Sequence, residues 1–211
     1  MAPTFENFVL AEQVATTKGA RICALACDGA SVRVTFASRV RTPFGPGTFD
    51  KTVYSTRQSL QLSCGSEMEE YFEEFDAWSV EYLAENAERI FKKPMTRDQI
   101  VDGFKPTLTR KGSYPALLRT KINVEGVRPC RYWDENGAPR EAPQDWRAVE
   151  LVPSLVLRHV WKMGKDMGWV IECTDLQVFE SKATCPFVGG LGGVKSVRSL
   201  QRVEGDGLEQ A

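Results

Sequence analysis

Two long hydrophobic stretches, 151–163 and 167–179, dominate the pattern along this chain, and both are rich in β-branched and aromatic residues. The loop Met163–Gly168 separates them and contains two glycines and an aspartate. This pattern predicts two strands that fold back on each other as a hairpin. Trp161 and Trp169 flank the basic loop. The hairpin is therefore either a nucleic-acid surface or a well-packed edge.

Further strands are predicted on both sides of a central polar-hydrophobic segment. An apolar run at 20–27 leads into the turn signal Asp28-Gly29, and 32–40 then alternates hydrophobic with polar residues. Alternation with period two is typical of a strand with one buried face. A third strand is predicted at 51–64 and another at 118–125. The three strands before the central segment are expected to form a meander.

The central segment is predicted to be one long helix, from Glu67 to Lys93, because apolar residues recur at steps of three and four. Ser66 and Glu69 fit a capping box at its start, and Pro94 stops it. A second capping box, Thr96 to Gln99, predicts one or two further helical turns.

The order of these elements predicts the fold class. Strands and helices do not alternate as βαβ units, so a parallel sheet is not expected. We predict a mainly β protein of the β-rich α+β class: an OB-fold-like antiparallel Greek-key barrel with one long helix inserted between strands 3 and 4. A β-sandwich decorated by a helix is the alternative. Residues 1–203 are expected to form this single domain and 204–211 a disordered tail.

Composition places the chain among ordinary globular proteins, with 42% hydrophobic residues, 26% charged residues and a net charge of −1. No apolar run approaches the roughly 20 residues of a membrane span. The first residues also lack the pattern of a signal peptide. We therefore expect an intracellular protein with no membrane contact. The six cysteines are scattered and there is one histidine, so neither a metal site nor a cofactor is predicted.

The sequence also gives little support for catalysis. It contains no nucleophile elbow and no metal-ligand cluster. The glycines at 189–193 precede Lys195-Ser196, but Val194 breaks the spacing of a phosphate-binding loop. His159 lies inside a predicted strand, where a packed residue is the more common outcome and a general base the less common one. We predict a protein that is not an enzyme.

Charge is sorted along the chain. Segment 66–102 carries four basic and eleven acidic residues, whereas 105–172 carries twelve basic and eight acidic residues. One face of the protein is thus expected to attract a polyanion while another repels it. Arg33, Arg39 and Arg41 share the polar face of the second strand, where they either contact phosphate or are merely solvated. The loop 107–115 is basic and aromatic, as in contacts with single strands.

One part of the sequence resembles a known family. Tyr114-Pro115, Lys121, the run Tyr132–Gly137, Leu151-Val152-Pro153, Val160-Trp161, Gly168 and Leu176-Gln177-Val178 follow a diffuse spacing of aromatics, proline and glycine. This spacing resembles the OB-fold single-stranded DNA-binding proteins of short-tailed phages and their relatives in large eukaryotic DNA viruses. The resemblance covers roughly 105–179, and the predicted helix lies where that family has one.

The resemblance implies a viral protein that binds single-stranded DNA in replication or recombination, with RNA and a homodimer left open. Such proteins commonly recruit replication proteins through a strongly acidic tail, but the end of this chain, EGDGLEQA, is only weakly acidic. Recruitment is therefore in doubt. The candidate residues are cations that would neutralise phosphates and aromatics that would stack on bases. They are Lys105, Arg110, Lys111, Tyr114, Lys121, Tyr132, Trp133, Trp161, Lys162 and Lys165.

A second function remains open, that of a structural or protein-interaction β-module whose aromatic hairpin packs against another subunit. Alternation along the hairpin places some aromatics in the core, so either Trp161 or Trp169 is expected to be structural. On the first hypothesis, the binding residues are the hairpin tip around Lys162 and Lys165, the loop Arg110–Tyr114 and Lys121.

Overall fold

The computed structural model describes residues 5–17, 19–48 and 54–180. These residues form twelve strands and three helices. The strands are β1 (Phe8–Leu10), β2 (Val14–Ala15), β3 (Arg21–Cys27), β4 (Val32–Thr35), β5 (Arg57–Ser63), β6 (Phe104–Lys105), β7 (Leu108–Thr109), β8 (Leu117–Asn123), β9 (Arg131–Trp133), β10 (Pro139–Arg140), β11 (Val149–Met163) and β12 (Asp166–Glu180). The helices are α1 (Ser66–Glu85), α2 (Ala87–Phe91) and α3 (Arg97–Gly103).

The predicted hairpin is confirmed. β11 and β12 pair antiparallel over their whole length, from Val149 opposite Glu180 to Met163 opposite Asp166. Only Gly164 and Lys165 connect them, so the loop is shorter than the sequence indicated. Gly164 has a φ of 60°, a conformation that glycine adopts readily and that suits a two-residue hairpin turn.

Five strands close into a ring around the core. β4 pairs with β11, β11 with β12, β12 with β8, and β8 with β5. Two isolated bridges complete the circuit, since Val40 pairs with Leu151 and Arg41 with Ser63. The predicted mainly β, α+β class is confirmed. The ring also has the five strands expected of an OB-like barrel.

The prediction of an antiparallel barrel needs one correction, because the sheet is mixed. β12 runs parallel to β6, β8 and β9. In the sequence, β11 lies between these strands and β12. Because β12 runs antiparallel to β11, it points in the same direction as β6, β8 and β9. The long helix follows the predicted third strand, as expected. That strand, β5, is only the second strand of the ring in chain order. β3 precedes it but lies outside the ring, where it pairs with β1, β2 and the half of β11 nearest the hairpin tip.

The helical segment also departs from the sequence prediction. α1 starts after Gly65, which makes no side-chain cap, so the predicted capping box at Ser66 is wrong. The single helix is interrupted at Asn86, whose side-chain amide donates to the carbonyl oxygen of Tyr82 at 2.9 Å. Asparagine competes for backbone hydrogen bonds in this way and is a poor residue for a helix interior. The capping box of Thr96 and Gln99 is confirmed.

The core lies between the barrel and the apolar face of α1. Met68, Phe72 and Phe75 are fully buried there. Trp169 belongs to this core: its ring centroid lies 4.7 Å from that of Phe75, and its indole donates to Ser79 Oγ at 2.8 Å. The expectation that one of the two hairpin tryptophans is structural is therefore confirmed for Trp169.

Two features seen in the sequence, the glycine-rich segment 189–196 and the predicted tail 204–211, lie outside the described residues. None of the three described helices is both long and apolar enough to cross a membrane.

Candidate nucleic-acid interface

The outer face of β5 and β8 is polar and basic. Along each strand, alternate side chains point into the ring and out of it. The inward side chains are apolar and buried: Leu60, Leu62, Leu118 and Ile122. The outward side chains include Arg57, Ser59, Arg119 and Lys121. Cross-strand register then brings these outward residues together, because Ser59 lies opposite Lys121 and Gln61 opposite Arg119. On the other side of β8, Lys121 lies beside Glu172 of β12.

A β-bulge extends this basic surface onto β11. The pairing of β11 with β12 shifts register between Leu157 and His159. The extra residue of a bulge breaks the strict alternation of a strand. Arg158 and His159, although consecutive, are consequently both half-buried, and both lie near Glu172. We call Arg57, Arg119, Lys121 and Arg158 together the cationic face.

The cationic face carries more positive than negative charge. Glu172 accepts two hydrogen bonds from Arg158, at 2.9 and 3.3 Å, and lies 3.9 Å from Arg57. The ammonium group of Lys121 donates to Ser59 Oγ at 2.8 Å. Arg119 is exposed and forms no ion pair or side-chain hydrogen bond with any described residue. Among the described residues, two of the four cations, Arg57 and Arg158, thus pair with one carboxylate, and the other two form no ion pair.

The pKa values on this surface shift in the direction expected for crowded cations. Burial lowers the pKa of Lys121, and the charges of Arg57 and Arg119 lower it further. Burial likewise lowers the pKa of His159, as do Arg57 and Arg158, while Glu172 opposes them. His159 is therefore neutral at pH 7. Crowded cations of this kind are stabilised when an anion binds among them.

A cleft of about 250 Å³ adjoins the cationic face. Lys105, Arg119, Lys121 and the indole of Trp161 line it, and we call it the Trp161 cleft. Gly168 lies in its wall, where a Cβ atom would come within 3.2 Å of both the Trp161 Nε1 and the Lys105 carbonyl oxygen. A larger residue there would displace the indole, so the absence of a side chain helps to keep the cleft open.

The loop that follows β7 is placed differently from the cleft residues. The Arg110 guanidinium pairs with both Glu69 and Glu73 of α1. Lys111 is exposed, and Tyr114 is 77% exposed. Of the three predicted residues in this loop, Arg110 is thus held by the acidic side chains of α1.

The hairpin tip packs against the helices. Lys162 donates to the carbonyl oxygen of Gly164, and its ammonium lies 5.9 Å from the ring centroid of Phe91. Lys165 lies 3.3 Å from the Asp102 carboxylate of α3. Gly103 allows this contact, since a Cβ there would approach the Lys165 carbonyl oxygen to 2.1 Å. Both predicted tip lysines therefore have partners within the protein.

Tyr132 and Trp133 lie on β9, next to the opposite end of β12. Tyr132 packs against Trp146, and burial raises its pKa. The Trp133 indole donates to Asp175 at 3.2 Å. Burial alone would raise the pKa of Asp175, but hydrogen bonds from Trp133, Thr174 and Arg33 and the charge of Arg131 lower it overall. Trp133 is thus held in a polar network whose charges are compensated, and Tyr132 is held by packing.

The arginines of the predicted second strand are also compensated. Arg33 lies 3.1 Å from Asp175, while Arg39 and Arg41 lie 3.6 and 2.9 Å from Glu150. Arg39 also stacks over the ring of Phe179. Their charges are therefore largely balanced within the protein.

Three of the ten candidate residues, Lys105, Lys121 and Trp161, come together at the Trp161 cleft. Sequence reasoning missed Arg57, Arg119 and Arg158. The alternation that selected Lys121 also places Arg119 on the same face, so this residue carried a usable signal. Arg57 and Arg158 are recognisable only once the cross-strand register and the bulge are known.

No family model and no curated protein matches the chain. Among solved structures, it is similar to the single-stranded DNA-binding protein from bacteriophage Enc34 in complex with ssDNA, with a TM-score of 0.47, 8% identity, and coverage of 83% of this chain and 97% of that chain. It is also similar to gp2.5, a single-stranded DNA-binding protein encoded by bacteriophage T7, with a TM-score of 0.43, 14% identity, and coverage of 81% and 100%. Both TM-scores are below 0.5.

Proposed function

We propose that this protein binds single-stranded DNA along the cationic face and the Trp161 cleft, without catalysing a reaction, and that it acts in DNA replication or recombination. The observation that carries the proposal is that four outward cations lie beside the indole of Trp161. Within the described part of the chain, Glu172 is the one carboxylate that pairs with any of them. Arg119 is the central residue, because its guanidinium has no partner among the described side chains.

Each part of this surface matches one part of a nucleotide. Arginine and lysine neutralise phosphates and release their counterions, which makes binding dependent on salt. An aromatic side chain stacks on a base, and the stacking tolerates any sequence because every base has a π-face. In a duplex the base faces are covered by their neighbours. A stacking residue beside a basic surface therefore favours an unpaired strand.

The protein-interaction alternative has less support. It relies on the aromatic hairpin as an exposed interface, but Trp169 is only 9% exposed and is bonded to Ser79. The tip lysines also contact the protein's own helices.

The first experiment measures fluorescence anisotropy of labelled oligo-dT at 50 and 300 mM NaCl. We expect binding at low salt that weakens steeply at high salt, and weaker binding of a duplex of equal length. The absence of any binding to oligo-dT at 50 mM NaCl would refute the proposal. Oligo-rU of the same length measures the preference between DNA and RNA.

A matched pair of variants locates the binding surface. Arg119→Ala removes a cation of the cationic face, whereas Arg97→Ala removes an exposed arginine of α3 that pairs with Glu81. Arg119→Ala should weaken binding and, because it removes one positive charge from the surface that the strand crosses, reduce the slope of log K against log salt by up to about 0.7, the value for a full phosphate contact on a single strand. Arg97→Ala should leave the slope unchanged. Equal slopes for the two variants would place the strand elsewhere.

A further inference from the structure

The charged side chains that line the Trp161 cleft are all hydrogen-bond donors. Its charged side chains are the three cations Lys105, Arg119 and Lys121. The hydroxyls of Thr107 and Thr120 are not offered to the cleft, because the two residues are only 5% and 1% exposed and their hydroxyls donate to Asp76 and to the Leu60 carbonyl oxygen. A ligand in this cleft must therefore present acceptors to the cations.

The three cations differ in their freedom to bind a ligand. The Lys105 ammonium lies 2.9 Å from Asp166, which offsets its charge. Lys121 donates to Ser59 and is half-buried. Arg119 has no such partner among the described residues, and its planar group offers several donors in a fixed arrangement. Within the described residues, Arg119 is consequently the cation of the cleft whose side chain has no protein partner.

The remaining lining suits a base better than a phosphate. The indole of Trp161 forms one wall, Val170 contributes apolar surface, and Gly168 presents no side chain. Apolar walls would desolvate a phosphate at a high free-energy cost, whereas a base gains from stacking on the indole. The cleft therefore fits one unstacked base whose edge points at Arg119.

Bases differ in what they present at that edge. Guanine offers the O6 and N7 acceptors and thymine the O4 acceptor, whereas adenine and cytosine carry an amino donor at the corresponding position. An amino group directed at a guanidinium has no acceptor and loses its hydrogen bond to water. The chemistry of the cleft thus separates keto bases from amino bases.

We propose that the Trp161 cleft holds one base of the bound strand and that Arg119 selects guanine or thymine over adenine or cytosine. This inference rests on the proposed function, because it assumes that a single strand crosses the cationic face. It adds a base preference to a surface that would otherwise bind any sequence equally.

The test compares two purines that differ at the edge in question. Short oligo-dC strands carry either adenine or hypoxanthine at three central positions. The two bases have the same ring system and similar stacking, but hypoxanthine has a 6-keto group in place of the 6-amino group. We expect the hypoxanthine strand to bind wild-type protein about fivefold more tightly, the lower end of the discrimination that a cation gives against the wrong base.

Two variants assign the preference to Arg119. Arg119→Lys keeps the positive charge but loses the planar group, so its hypoxanthine-to-adenine ratio should fall towards one, whatever its overall affinity. Arg97→Ala should keep the wild-type ratio. Equal binding of both strands by wild-type protein, or an unchanged ratio in Arg119→Lys, would overturn the inference. Salt-dependent binding without a base preference would leave the proposed function intact, whereas no binding to any strand at 50 mM NaCl would remove both.

Discussion

Trp161 and Trp169 lie on opposite faces of the same hairpin and have opposite surroundings. Trp161 pairs in register with Gly168 and faces the cleft, whereas Trp169 pairs with Val160 and is buried against α1. Alternation along two paired strands thus separates a residue that can stack on a base from one that stabilises the core. The different positions of the two indoles lead to the first prediction.

Trp161→Phe should abolish most of the quenching of tryptophan fluorescence by oligo-dT, because the indole next to the bound base is the one removed. Trp161→Ala should in addition weaken binding by about 1–3 kcal/mol, the usual contribution of one stacked base. Trp133→Phe is the control, since that indole is bonded to Asp175 on β9. Undiminished quenching in Trp161→Phe would contradict the assignment.

Asp76 is a second residue with unusual chemistry. This residue of α1 accepts hydrogen bonds at Oδ2 from the Thr107 backbone amide and hydroxyl, at 2.8 and 3.1 Å. Its buried Oδ1 has no partner within the described residues. Burial raises its pKa from the ordinary 3.8 to about 6, although the bonds from Thr107 and Leu108 oppose the shift. The folded protein therefore holds this proton more tightly than the unfolded chain.

Asp76 should make stability depend on pH. Its contribution to the free energy of unfolding is fully present below pH 3.8 and is lost as the pH rises through about 6. Urea unfolding at pH 4.5 and 7.5, compared between wild type and Asp76→Asn, should show about 2 kcal/mol more loss in wild type over this interval. A difference between the two proteins that does not change with pH would show that the carboxyl titrates normally.

At the scale of elements, the contact between α1 and the loop after β7 decides what Arg110 can do. Glu69 and Glu73 lie one helical turn apart and both pair with the Arg110 guanidinium. A cation whose charge is already balanced contributes little to the binding of a polyanion. The acidic helix thus limits the role of a residue that the sequence alone suggested for phosphate contact.

We expect Arg110→Ala to weaken oligo-dT binding less than Arg119→Ala does. Conversely, Glu69→Gln/Glu73→Gln should strengthen binding at 50 mM NaCl by releasing Arg110, and the gain should shrink at 300 mM because salt screens exposed charges. Adding Arg110→Ala to the double variant should cancel the gain. If the gain persists without Arg110, it comes from the changed net charge and not from this contact.

The elements with a local pattern were predictable from the sequence, and those that depend on distant contacts were not. The hairpin, β8 and the capping box of α3 follow from alternation, turn residues and caps within a few positions. The parallel pairing of β12 with β6, β8 and β9 depends on contacts with other parts of the chain. Local periodicity does not carry that information.

The same division holds for the candidate site. Lys121 and Trp161 stand out by residue type and position in a predicted strand. Arg57 joins them only through the register of β5 against β8, and Arg158 only through the bulge in β11. The tip lysines looked free in the sequence because nothing local shows that Asp102 and Phe91 lie beside them.

At the scale of the whole molecule, the cationic face exists only when the ring is closed. Its residues come from β5, β8 and β11, and their counter-charge Glu172 comes from β12. The protein has a net charge of −1, so its total charge does not attract a polyanion. The attraction depends on the folded arrangement that gathers these cations on one side.

Binding should therefore be coupled to global folding. A ligand that binds the folded state alone and is present at a hundred times its dissociation constant stabilises that state by about 2.7 kcal/mol, which raises the Tm of a chain of this size by about 5–10 °C. Oligo-dT should produce such a shift in thermal unfolding followed by far-ultraviolet circular dichroism.

Arg119→Ala should keep the wild-type Tm without DNA, because the Arg119 side chain is exposed and unpaired among the described residues. With oligo-dT, however, this variant should lose much of the Tm shift. If anisotropy showed binding of oligo-dT but the Tm did not change, the unfolded chain would bind DNA as well as the folded protein does. The DNA would then contact a linear basic segment and not the cationic face.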